Sequence, residues 1–389
     1  MPGYELFGDE ERKAVNDLFD ANGGVLFAHG FLGQRKGIFK VREFEAALAK
    51  RFAAPHCQVV SSGSAALWVG LKALGLKPGD EVITSSFTFV ATVEAILFAG
   101  AVPVLAEVDD TYNLDPEDVR RRVTGRTRAI VPVHMAGAPA RMDELLALAK
   151  EKGLLVLEDA AQACGGTWKG KALGTLGDAG IYSFDFAKNL TTGEGGAVLT
   201  RSKAVWELAR EYHDHGHQYN PAVPRGRDTR RAAGFNFRMT ELQAAIGLAQ
   251  LAKLDRIVES QRRNKRLLKG LLADAGVRFR TIADEGEIAD TLIFSLPDAA
   301  GAAAAAARLA AKGVGTKNLP DAVDWHFAGT WEHMLRGVGG VKEPAKAWPR
   351  TADLLARSIA LPVNVKDAEE GLRKTAAAVQ GALRELAVK

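Results

Sequence analysis

Residues 59–83 read VVSSGSAALWVGLKALGLKPGDEVI, and the order of their patterns decides the fold class. Gln58-Val59-Val60 is a short apolar run that enters Ser61-Ser62-Gly63-Ser64. Beyond that turn Leu67, Leu71 and Leu74 recur at spacings of four and three, which marks one face of a helix. Glu81-Val82-Ile83-Thr84 then reads as a second strand. Strand, helix and strand in succession are the repeating unit of a parallel sheet covered on both faces.

The same alternation continues on either side. Residues 41–52 have helical spacing, 93–99 form a helix stopped by Gly100, and 141–152 form one closed by Gly153. Residues 102–105 and 129–133 read as buried strands, each weakened by a proline, and 154–157, 181–184 and 196–200 as three more. Residues 239–275 keep helical character without a proline, which is long for one globular helix, so a bend or hinge is expected near Leu254-Asp255. A strand over 291–296, an Ala-rich helix over 302–312 and a helix over 367–388 follow. The expected fold class is α/β: a large domain over 1–253 with a mostly parallel central sheet sandwiched by helices, and a smaller C-terminal α/β domain over 254–389. The N-terminal segment is expected to pack on the small domain.

Composition narrows the function. The 389 residues are 47% hydrophobic, enough for a large core. A net charge of +4 is mild and does not point to nucleic acid. Cys57 and Cys164 are the only cysteines, so no disulfide framework is indicated. No apolar run is long enough for a signal peptide or membrane span. A cytoplasmic protein is expected.

In such sheets ligands sit outside the carboxyl ends of the strands, and three features lie there. Ser61-Ser62-Gly63-Ser64 opens a helix whose free N–H groups and dipole suit a phosphate, although Ser62 could serve only as an N-cap. Asp159 ends the run Leu154-Leu155-Val156-Leu157-Glu158, where a carboxylate is costly without a partner. Lys188 follows the strand at 181–184 and precedes Gly193-Glu194-Gly195-Gly196. A partly desolvated lysine loses its proton readily and suits Schiff-base chemistry. A helix cap or salt bridge at Asp159 and a surface lysine at 188 are the plain alternatives. Together, and in this order, the three suit pyridoxal 5′-phosphate (PLP): a phosphate cradle, a carboxylate for the pyridine nitrogen and an amine.

The stretches VVSSGSAALWVGLKALGLKPGDEVI, FTFVATVEAILFAGAVPVLAEVD, LEDAAQACGG, YSFDFAKNLTTGEGGAV and GFNFRMTELQAAIGLAQLAKLD resemble the DegT/StrS-type sugar aminotransferases, of the aspartate-aminotransferase fold type, across nearly the whole chain. The resemblance implies that Lys188 carries the cofactor, Asp159 pairs the pyridinium, Gln162 contacts the ring hydroxyl and Phe89 stacks on the ring. It implies that Gly63, Ser64 and Ser183 hold the phosphate, and that Asn236 reaches the phosphate of the neighbouring subunit in a homodimer with shared active sites. The implied reaction moves an amino group from glutamate or glutamine to a keto sugar. MPGYELFG, VHMAG, HDHGH and WHFAGTWEHM are similar to family members that aminate an 8-keto octulosonate-type acidic sugar of lipopolysaccharide. Ser64 stands where threonine is frequent in the family, and Cys164 where histidine is. Related sugar dehydratases carry histidine in place of the Schiff-base lysine, and some relatives were named as regulators; Lys188 and the intact set around it disfavour both.

His213, His215 and His217 invite a metal reading, but no cysteine or carboxylate cluster supports it. They end a helical stretch, where cationic side chains are favoured, and a role near the substrate stays open. The run from Arg225 to Arg231 reads as a solvated loop, or as one that engages an anionic group.

Overall fold

The computed structural model describes residues 3–387. Seven strands form the main sheet. In chain order they begin with β1 His56–Val60, β2 Glu81–Ser85, β3 Val102–Ala106, β4 Thr127–Val131 and β5 Leu155–Asp159. A small ribbon, β6 Thr167–Trp168 and β7 Lys171–Ala172, precedes β8 Ala179–Ser183 and β9 Gly196–Thr200. The sheet order is β1-β9-β8-β5-β4-β2-β3, and β9 alone runs against the others. Val59, Ile83, Ile130 and Val156 join one core, whereas Val60, Val82, Val131 and Leu157 join another on the opposite face. That period-two split is why the strands read as continuous apolar runs.

Both prolines are accommodated. Pro103 lies in β3, an edge strand, where a missing N–H costs least. Pro132 falls just past the end of β4, which stops at Val131 rather than reaching 133. Its carbonyl accepts from Asp159 N at 2.8 Å, and His134 N donates to Asp159 O at 3.1 Å. The turn after β4 is thereby tied to the end of β5.

The helical run that was expected over 239–275 is two helices, Glu241–Leu251 and Leu254–Leu271, parted at Ala252 and Lys253. Thr240 opens the first with a capping box to Gln243. Beyond lies an antiparallel sheet of β10 Arg278–Phe279, β11 Thr291–Ser295 and β12 Ser358–Pro362. Leu268, Phe294, Leu309, Leu361 and Val379 fill its core, drawn from the helices Leu254–Leu271, Ala299–Ala311 and Glu369–Ala387. A third core of Phe87, Tyr112, Met135, Ile293, Trp331 and Trp348 joins this half to the loops after β2, β3 and β4. Helix Asp9–Ala21 packs on Glu241–Leu251, and Glu5 accepts from Lys366 N at 2.8 Å, so the N-terminal segment touches both halves. Cys57 and Cys164 are buried and unpaired. Among the described residues no helix is long and apolar enough to cross a membrane.

Candidate active site

A cavity of about 430 Å³ opens where the parallel strands end. Gly63, Ser64, Phe89, Asp159, Gln162, Ser183 and Lys188 all line it. Asn236 does not; it is exposed and bridges Asp214 on a separate turn. Each lining residue has a local cause. Helix Gly63–Ala73 begins at the cavity, with Ser62 Oγ accepting from Ala65 N at 3.0 Å, so the capping reading of Ser62 holds. Gly63 is obligatory: a Cβ there would meet Ser183 Cβ at 2.7 Å and Oγ at 2.9 Å. Backbone N–H groups and two serines therefore converge at one helix N-terminus.

Asp159 ends β5 inside the wall, 4% exposed. Burial pushes its carboxyl above the usual range, while Thr92, the Ala161 N–H and the charge of Lys188 oppose the rise. Thr92 Oγ1 donates to Asp159 Oδ2 at 2.7 Å, Ala161 N donates to Oδ1 at 3.1 Å, and Thr88 and Thr92 hydroxyls lie 2.7 Å apart. Desolvation draws the Lys188 ammonium below the ordinary lysine range, with Asp185 and Asp159 pulling the other way. Gln162 is fixed by the Ala136 N–H at 2.9 Å from its Oε1. Phe89 is 40% exposed, so it is no core residue, and its ring lies parallel to Trp325 with centroids 6.1 Å apart.

Behind the wall, Ala140 N donates to His134 Nδ1 at 3.1 Å, which leaves Nε2 as the donor to Glu158 at 3.1 Å. Glu158 also accepts from the Gly174, Leu176 and Gly177 amides. The carboxylate beside Asp159 is thus a bracket for the strand end, facing away from the cavity. Sequence reasoning missed Thr88, Thr92, Glu194, Asn318 and His326, which also line the site. Asn318 and His326 come from the C-terminal half; Asn318 carries no local pattern, whereas His326 lies in the WHFAGTWEHM stretch, and a threonine one helical turn after Thr88 was the signal available for Thr92.

The donor set fits PLP. A helix N-terminus with two hydroxyls fits the phosphate, Asp159 fits a cationic ring nitrogen, and Lys188 supplies the amine.

One further expectation is corrected, and one is refined. His213, at the end of helix Lys203–Tyr212, is no cation: burial lowers it to about 4, and its Nδ1 donates to Arg210 O at 2.6 Å; burial lowers His217 as well. The described residues contain no group of three metal ligands. The Arg225–Arg231 stretch is exposed apart from Asp228, as a solvated loop would be, and two of its arginines engage carboxylates of the protein itself. Arg225 pairs with buried Asp214 at 2.6 Å and Arg231 with Glu211 at 2.7 Å.

Comparison with solved structures places the fold. The structure of 3-amino-5-hydroxybenzoic acid synthase superposes with a TM-score of 0.84 at 30% identity, covering 98% of this chain and 97% of that one. The class is the aspartate-aminotransferase fold of PLP enzymes. The chain belongs to the DegT/DnrJ/EryC1/StrS aminotransferase family, whose profile matches residues 34–380; that family depends on PLP. It is 41% identical over 267 residues to spore coat polysaccharide biosynthesis protein SpsC of Bacillus subtilis (strain 168), covering 64% of this chain and 63% of the relative. It is 41% identical over 222 residues to GDP-perosamine synthase of Caulobacter vibrioides, covering 57% and 58%. The matches therefore span less than two thirds of these relatives' own length.

Proposed function

We propose that this chain transfers an amino group from glutamate or glutamine to a keto sugar, with an 8-keto octulosonate-type acidic sugar as the acceptor. The observation that carries the reaction is Lys188 and Asp159 facing one cavity with a hydroxyl-bearing helix N-terminus. The narrower sugar rests on the sequence resemblance. Kinship to GDP-perosamine synthase supports a sugar acceptor in general.

When bound, PLP supplies the electron-accepting ring and carries nitrogen between the two half-reactions. Gly63, Ser64 and Ser183 would hold the phosphate, Gln162 the ring hydroxyl and Phe89 the ring face. Asp159, oriented by Thr92 and the Ala161 N–H, would keep the ring nitrogen protonated, and that cation would in turn favour the ionised carboxylate. Lys188 would hold the cofactor, and its Nζ, as the free amine, would accept the proton released from the donor's α-carbon and hand it on. Its lowered pKa leaves more free amine at neutral pH than an ordinary lysine has.

Asn236 completes the phosphate site of a partner subunit in a homodimer. Exposed Phe31, Leu32 and Phe235 supply apolar surface for that interface. The buried, unpaired cysteines suit a cytoplasmic enzyme. A sugar dehydratase or a non-catalytic regulator gains no support from this site.

The test is the visible spectrum of the purified protein before and after L-glutamate, with Lys188→Ala in parallel. A yellow band that fades with L-glutamate is expected in the wild type, and Lys188→Ala, lacking the amine, is expected to lack that band and to show no such fading. A band that survives glutamate but fades with glutamine assigns the donor. No band after adding PLP sinks the reading.

A further inference from the structure

A second cavity, about 520 Å³, lies away from the active site, between helix Leu254–Leu271 and strands β10 and β11. Arg262, Lys265, Arg266, Lys269 and Arg280 line it, against the carboxylates of Glu285 and Glu287. Cations outnumber anions there, and part of the set is already engaged. Lys265 Nζ is 2.5 Å from Glu287 Oε2. Arg262 donates to Glu287 O at 2.7 Å and Gly286 O at 3.0 Å. Those contacts fix the loop after β10 as a wall.

Arg280 is different. It is 6% exposed, yet it makes no salt bridge among the described residues. Its Nε donates to Thr111 O at 2.6 Å, while its Nη2 is buried with no hydrogen-bond partner. A guanidinium left so in the interior is costly. Burial pulls it down to about 10 despite the charge of Glu287. Arg266 and Lys269 on the rim are exposed and have no carboxylate partner among the described residues; Lys269 sits 5.4 Å over the ring of Phe279, which is half-buried in the cavity wall.

We propose that this cavity is a binding site for a small molecule bearing a phosphate or diphosphate group. The anion takes the unsatisfied N–H of Arg280 and is enclosed by Arg266 and Lys269. Arginine's planar fork suits phosphate oxygens, and the volume exceeds a phosphate's need. Phe279 and Ile282 give the rest of the ligand an apolar face. The site is independent of the amino-transfer reading, because none of its residues lines the active-site cavity.

The experiment is calorimetric titration of the full chain, loaded with PLP so that the cofactor's phosphate cradle is filled. Inorganic pyrophosphate is the probe, followed by GDP. Saturable binding that weakens with added salt is expected. Arg280→Leu tests the buried donor. Because that variant removes a buried charge and its stability can change, the exposed double variant Arg266→Glu, Lys269→Glu is measured beside it. The double variant should weaken pyrophosphate at least about tenfold, since it reverses two rim charges. GDP tighter than pyrophosphate, with the gain lost in Phe279→Ala, assigns the site to a nucleotide; equal affinities assign it to free phosphate species. No saturable binding by the wild type, or unchanged binding by the double variant, overturns the proposal.

Discussion

Asp159 depends on a neighbour that no strand-end pattern reveals. Its Oδ2 accepts from Thr92, a residue on the helix after β2, so the carboxylate's orientation comes from another element. Thr92→Val keeps the shape and removes the donor. The carboxyl then rises further, and kcat should fall by about tenfold with KM little changed, the size of one lost hydrogen bond to a charged group. An unchanged kcat would show that the Ala161 amide alone holds the group. Asp214 makes the opposite case. Burial opposes its charge, but His29, Arg225 and Tyr219 hold its carboxyl far below the ordinary carboxylate range. A depressed folded pKa stabilises above the unfolded value of about 4 and is lost as pH falls below it. Asp214→Asn should cost about 3 kcal/mol at neutral pH, read by urea unfolding, because it strands Arg225 and Arg238. The gap between variant and wild type should narrow toward about pH 3.

At the scale of elements, the helix at Gly63 and the strand ending at Ser183 touch without room for a methyl group. Gly63→Ala should part them and weaken PLP at least about tenfold, through displaced N–H groups. Unaltered PLP affinity, measured by fluorescence titration, would mean the two elements yield locally. The large sheet was legible because its strands are buried on both faces and separated by helices with clear stops, such as Gly100 and Gly153. Asp159 was legible because it ends such a strand, and Lys188 because it follows one by a few residues. β12, Ser358–Pro362, was not, since its partner β11 lies more than sixty residues upstream and its five residues carry little pattern. The pairing of Arg225 was hidden for a similar reason: only folding brings the buried Asp214 beneath it.

Across the whole molecule, the C-terminal half closes the cavity with Asn318 and His326, while Asn236 faces outward. If Asn236 serves a second subunit, the exposed Phe31 and Leu32 belong to the joint. Phe31→Asp with Leu32→Asp should give a monomer by analytical ultracentrifugation and lose most amino transfer, while far-UV circular dichroism stays unchanged. A dimer that persists would place the joint elsewhere. Cys57 and Cys164 carry a practical consequence of their own. Burial pushes both thiols up, Cys164 to about 12, so neither offers a thiolate to an alkylating reagent while the fold is intact. Iodoacetamide uptake therefore becomes a clock for global opening, and one cysteine placed on the surface would take a fluorescent label without first removing the native pair.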